Sequence, residues 1–138
     1  MNWILDNLAI GDFHEALRPP SAITALLCVA EEHPLPPTSL LAHKVPMVDM
    51  KSIPLPLLKE AVDWLAAHIG DHRILVYCHG GVGRSPSVVV AYLCCALEYG
   101  FGEAVELVAT RKPRMVTLPN LILRIADMRL RVSSAADA

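Results

Sequence analysis

Cys78 and Arg84 are the two side chains in this 138-residue sequence whose types and spacing suit chemistry on a bound anion. Five residues separate them, His79, Gly80, Gly81, Val82 and Gly83, and three of the five are glycine. Glycine lets a backbone curl until successive amide N–H groups face one point. The segment runs directly into Ser85-Pro86 and an apolar stretch, so the N-terminus of a helix adds its partial positive charge there. Such a cradle suits a tetrahedral dianion such as phosphate. The same amides and dipole favour a thiolate over a thiol at its rim. Arg84 presents a planar fork that holds two oxygens of the anion at once, which a lysine could not do.

A loop of this kind needs a strand to deliver it and a helix to receive it. Ile74-Leu75-Val76-Tyr77 is apolar without alternation, which predicts a central strand covered on both faces. The following segment, to about Glu98, is apolar on every side and predicts a buried helix, with Ser85 as its cap and Pro86 in its first turn. Earlier in the chain, Trp3–Leu5 and Leu8–Ile10 read as short strands around an Asp6-Asn7 turn. Residues 23–30 read as a buried strand, and 44–48 as a further strand ending at Asp49. Leu58, Ala61, Val62, Leu65 and Ile69 recur at helical spacing, predicting a helix over 56–69 that Gly70 stops. Two more helices are expected over 102–111 and 117–131, the second capped by Thr117, with a frayed tail over 133–138. Strands alternating with helices define an α/β fold: a central, mostly parallel sheet of four or five strands flanked by helices, as one domain over 1–138. Ligands in such folds bind at the carboxyl ends of the strands, where the Cys78 loop lies.

Composition narrows the function classes. Hydrophobic residues make up 54% and charged residues 19%, which excludes a disordered chain. The net charge of −2 leaves no electrostatic footprint for nucleic acid. The longest apolar run, 88–97, is too short to cross a bilayer, so no membrane insertion is expected. Cys28, Cys78, Cys94 and Cys95 form no Cys-x-x-Cys pair, and the N-terminus does not read as a signal peptide, so a reducing cytoplasm is the expected location. The sequence leaves the oligomeric state open.

The loop resembles the Cys-x5-Arg signature of the cysteine-dependent protein tyrosine phosphatase superfamily, in its compact dual-specificity form. The match is Cys78-x5-Arg84 followed by Ser85, with a strand before and a buried helix after, and the likeness extends from 4–11 to the final helix. Tyr77 stands where that family usually has histidine. The resemblance implies Cys78 as nucleophile and Arg84 as phosphate clamp, with His79, Gly80, Gly81, Val82 and Gly83 lining the phosphate site. It implies Ser85 as a hydroxyl that helps the thiolate depart. It also implies a general acid about thirty residues upstream, and Asp49, 29 positions before Cys78 at the end of an expected strand, fits that role. Asp12 is the fallback. Asn120 resembles a structural Pro-Asn element of the family. No metal or other cofactor is implied. The expected activity is hydrolysis of phosphotyrosine and of phosphoserine or phosphothreonine in proteins or peptides, through a cysteinyl-phosphate. The alternatives are a catalytically silent phosphate-binding module and a phosphatase for a phosphoinositide or other non-protein ester. A rhodanese-type sulfur transferase and a structural interaction domain are more distant rivals.

Overall fold

The computed structural model describes residues 1–137, with side-chain environments through Leu130. Five strands, β1 (Asn2–Leu5), β2 (Leu8–Gly11), β3 (Ala25–Cys28), β4 (Leu41–Lys44) and β5 (Ile74–Tyr77), form one sheet in the order β1-β2-β5-β3-β4. β1 and β2 pair antiparallel, and every other pairing is parallel. β5 lies at the centre, and all four of its side chains are buried, so both faces are covered as its unbroken apolar run predicts. The mixed α/β architecture expected from the sequence is the one observed.

Five helices accompany the sheet: α1 (Phe13–Leu17), α2 (Leu55–His68), α3 (Arg84–Ala96), α4 (Phe101–Arg111) and α5 (Leu121–Asp137). α3 crosses β2 and β5 and packs against α2, α4 and α5. Every residue from Arg84 to Cys94 is buried. Its run Val88-Val89-Val90 is β-branched and intrinsically poor in a helix. Burial overrides that preference, since each fully buried valine contributes about 1.5–3 kcal/mol. α2 buries Leu58, Ala61, Val62 and Leu65, four of the five positions of the expected stripe, and the fifth, Ile69, is its C-cap. α5 sets Leu121, Ile125 and Met128 into the same core at helical spacing.

Three expectations need correction. The strand expected over 44–48 lies at Leu41–Lys44, because Pro46 offers no N–H to continue a ladder; Val45 donates the last bond, to Cys28 O. Ser85 does not cap α3: Gly83 is the N-cap and Ser85 lies inside the first turn. Thr117 does not cap a helix either. Residues 119–120 form a turn, Asn120 adopts a left-handed φ of 62°, and its carbonyl accepts from Arg124 in the first turn of α5. The last helix is described through Asp137, and Ala138 lies outside the described residues. α1 was not expected at all. Asp12 starts it through a capping box, accepting from the Glu15 N–H while Glu15 accepts from the Asp12 N–H.

Parallel pairing sets the geometry that matters most. Gly11, Cys28 and Tyr77 stand in register at the carboxyl ends of β2, β3 and β5, and Lys44 stands beside Cys28. The chain leaves all four strands along one sheet edge, bringing Phe13, Glu32–His33, Asp49 and the Cys78 loop together.

Candidate active site

The loop from Cys78 to Arg84 is held from outside by its carbonyls. His79 O accepts from Phe13 N–H at 3.3 Å and Val82 O from Val116 N–H at 2.8 Å. A planar trans peptide points its N–H opposite its C=O. The amides of Gly80 and Gly83 are therefore aimed away from those braces. Among the described residues, no backbone amide from His79 to Gly83 donates to another protein group. Gly81 adopts a φ of 70°, and a Cβ there would meet Gly11 O at 2.8 Å, so both conformation and close approach require glycine.

Cys78 is buried, 2% exposed, at the floor of a cavity of about 350 Å³ that Asp49, Gly83, Arg84, Thr117 and Pro119 help to line. Its Sγ lies 3.2 Å from Ser85 Oγ. That contact follows from Ser85 standing in the first turn of α3, where its hydroxyl looks back across the loop.

Arg84 is 1% exposed, and its five N–H donors are accounted for unevenly. Nη1 and Nη2 donate to the two carboxylate oxygens of Glu32 at 2.6 Å each, and Nη1 also donates to Met47 O at 3.1 Å. The Nε–H is buried and has no partner among the described residues. Together with the remaining Nη2–H it forms one free edge of the guanidinium, the edge that binds an oxyanion in a two-pronged manner. The hydrogen bonds and charge of Arg84 hold the Glu32 carboxyl down at about 2, from an ordinary 4.5, against the opposing effect of its partial burial. The carboxylate in turn pushes the Arg84 guanidinium further up. Glu32 therefore orients Arg84 and leaves its other edge available.

Asp49 is in the loop after β4 rather than on a strand, 54% exposed, with Oδ1 3.8 Å from Arg84 Nε. Oδ1 also accepts from the Met50 N–H at 2.9 Å, and the left-handed φ of 62° at Met50 marks the turn that holds the carboxylate over the loop. Asp12, the fallback acid, is engaged in capping α1. His79 is exposed and stacks on Phe13 and His33 at the mouth of the site. Tyr77 is 1% exposed beside Cys28, and its hydroxyl has no hydrogen-bond partner among the described residues. Burial, and then the neighbouring Cys28, push that hydroxyl well above the ordinary tyrosine range. Cys94 and Cys95 lie far along α3, and burial raises both thiols despite the nearby Arg129 cation.

The structure thus brings Cys78, Ser85, Arg84 and Asp49 together and adds a residue not singled out from the sequence, Glu32. Its signal was present: an acid just past a buried strand parallel to the one that leads into Cys78.

A buried cysteine, a glycine-rich loop that leads into a helix, and an arginine whose Nε–H has no hydrogen-bond partner among the described residues line one cavity. The model of the dual specificity phosphatase catalytic domain matches residues 15–129, and the chain belongs to that family. It is 33% identical over 101 residues to rat dual specificity protein phosphatase 5, covering 71% of this chain and 26% of that protein. It is 25% identical over 120 residues to mouse dual specificity protein phosphatase 15, covering 82% and 51%. The chain therefore spans between a quarter and a half of the length of these relatives. The crystal structure of human DUSP28 superposes with a TM-score of 0.84 at 19% identity, over 98% of this chain and 99% of that one, and shows the same fold.

Proposed function

We propose that this chain hydrolyses phosphate monoesters on proteins, phosphotyrosine first and phosphoserine or phosphothreonine as well, through a cysteinyl-phosphate. Cys78, as thiolate, attacks phosphorus; the S–P bond forms and the P–O bond to the leaving group breaks. Asp49 gives its proton to the departing oxygen. Water then attacks the cysteinyl-phosphate, losing its proton to Asp49, and the S–P bond breaks to restore the thiolate. Ser85 donates to Cys78 Sγ and eases that second departure. The amides of the loop and the free edge of Arg84 hold the equatorial oxygens throughout, so charge is met by donors already in position.

The observation that carries this reading is the unpartnered, buried Nε–H of Arg84. A buried donor left without a partner costs about 1–3 kcal/mol. Here the rest of the same group is clamped by Glu32 and Met47, so that the Nε edge, with Asp49 Oδ1 3.8 Å away, stays fixed in the cavity that Arg84 and Cys78 line together. A phosphate oxygen supplies the missing acceptor. The small number of basic side chains in the loop itself supports a protein ester over a phosphoinositide. A cytoplasmic location belongs to the same proposal, supported by the need of the Cys78 thiolate for reducing surroundings and by four unpaired thiols.

Turnover of an aryl phosphate by the purified chain, with and without Cys78→Ser, tests the proposal. The unsubstituted chain is expected to release phosphate, and the variant to lose turnover while still binding tungstate. Turnover that survives in Cys78→Ser would remove the nucleophile from the mechanism. A panel of phosphotyrosine, phosphoserine and phosphoinositide substrates then sorts the ester class.

A further inference from the structure

Two imidazoles and a carboxylate meet at the rim of the site, and the mechanism uses neither imidazole. One ligand atom from each of Glu32, His33 and His79 lies within 4.8 Å of the other two. His33 Nε2 and His79 Nδ1 are 3.0 Å apart. We infer that these three side chains form a site for a borderline transition-metal dication, zinc being the representative, and that its occupancy inhibits the neighbouring phosphate site by competing with Arg84 for Glu32.

The donor set is that of a three-ligand zinc site with an open fourth position, two histidines and a carboxylate. With zinc–nitrogen bonds of about 2.0–2.1 Å, two nitrogens on a tetrahedral ion stand roughly 3.3 Å apart. The observed pair needs to open by only a few tenths of an ångström. Both rings are already held. The Phe13 ring stacks on His33 at a centroid separation of 4.2 Å and on His79 at 5.1 Å, and the two imidazole planes are within 6° of each other. The backbones are tied as well, His33 N–H to Ala30 O and Phe13 N–H to His79 O. In the metal-free chain one of the two facing nitrogens donates to the other, and on binding that proton passes through solvent to the far nitrogen of its own ring, so that both imidazoles ligate as neutral groups. Glu32 supplies the anionic ligand, one carboxylate oxygen lying within 4.8 Å of both imidazole nitrogens.

The same carboxylate explains the inhibition. Both Glu32 oxygens accept from Arg84 at 2.6 Å. Each oxygen has a further lone pair, but a dication on it withdraws charge from the ion pair and stands close to a guanidinium that it repels. Arg84 then loses the partner that sets its free edge. Besides Glu32, the ion touches one residue of the phosphate loop, through the His79 imidazole, which the mechanism does not use. His33 is adjacent to the machinery without belonging to it, so its removal separates the two effects. The inhibition rests on the proposed roles of Cys78 and Arg84, whereas the binding does not.

Isothermal calorimetry with zinc chloride on the full chain carrying Cys78→Ser measures binding without the reactive thiol and without any need for turnover. One zinc per chain at low micromolar concentration is expected. Since loss of even an outer partner of a metal ligand weakens binding about 10–100-fold, adding His33→Ala should weaken it at least roughly tenfold. Far-ultraviolet dichroism verifies the fold, and His33→Gln replaces the alanine variant should that one misfold. In the second arm, zinc should inhibit aryl phosphate turnover by the unsubstituted chain and EDTA should restore it. His33→Ala should keep its basal turnover and need at least about tenfold more zinc. Zinc binding that is absent, or equal with and without His33, overturns the site. His33-dependent binding that leaves turnover untouched overturns the inhibition, and a chain inactive on every phosphoester would sink the proposed activity while the calorimetry still decides the site.

Discussion

Replacing Glu32 by glutamine keeps the size of the side chain and removes the charge that orients Arg84. Glutamine retains one oxygen for Nη1 or Nη2 and turns an N–H2 group toward the other, so one of two short bonds becomes a donor–donor clash. The fall of the Glu32 carboxyl from 4.5 to about 2 corresponds to about 3 kcal/mol in favour of its ionised form. Glu32 is 44% exposed, and solvent screening reduces the stability at stake to about 1–2 kcal/mol. The sign follows from the direction of the change. A carboxyl depressed in the folded state stabilises the fold fully above its unfolded value of 4.5, and that contribution is lost as pH falls from there toward 2. Urea denaturation should therefore show Glu32→Gln about 1–2 kcal/mol less stable at pH 7, with the gap closing through pH 4 and below. With Arg84 free to turn, kcat/KM for an aryl phosphate should fall about 10–100-fold, or about 1.4–2.7 kcal/mol. A stability gap that stays constant from neutral to acid pH, or an unchanged kcat/KM in a folded variant, would refute the positioning of Arg84 by Glu32.

Asp49→Asn should lower kcat about 100-fold for esters with poor leaving groups, less for para-nitrophenyl phosphate, and should flatten the alkaline limb of the pH–rate profile; an unchanged profile moves the acid elsewhere. Gly81→Ala should destabilise the chain by about 1–2 kcal/mol from the left-handed φ alone, with a further loss because the new Cβ meets Gly11 backbone at 2.8 Å. Turnover and denaturation measured on the same sample verify it, and an alanine tolerated in both would mean the loop does not pack as described. Tyr77→Phe should raise stability by about 1 kcal/mol by removing a buried hydroxyl that lacks a partner, and a comparable loss would show that the hydroxyl bonds to Cys28.

Local chemistry was readable without coordinates. The glycine-rich turn between Cys78 and Arg84, the central strand before it, the buried helix after it and the apolar stripe of α2 all follow from spacing within short windows. α1 could have been read too, since Asp12 followed three residues later by Glu15 is a capping box. The displaced β4 was harder: apolar residues flank Pro46 on both sides, Leu41, Ala42 and Val45 before it and Met47 and Val48 after it, and pairing with β3, not propensity, decides which four residues join the sheet.

Within its own windows the sequence determined which residue types stand at the loop and the backbone freedom they need, because those depend on neighbours a few positions apart. Tertiary structure alone decided that Glu32, 52 residues from Arg84, takes one edge of the guanidinium and leaves the Nε–H of the other without a hydrogen bond among the described residues. It likewise decided that His33 and His79, 46 residues apart, face each other at 3.0 Å. The reason is the parallel register of β2, β3 and β5, which ends three distant segments at one edge of the sheet and sets side chains in contact that no short window contains.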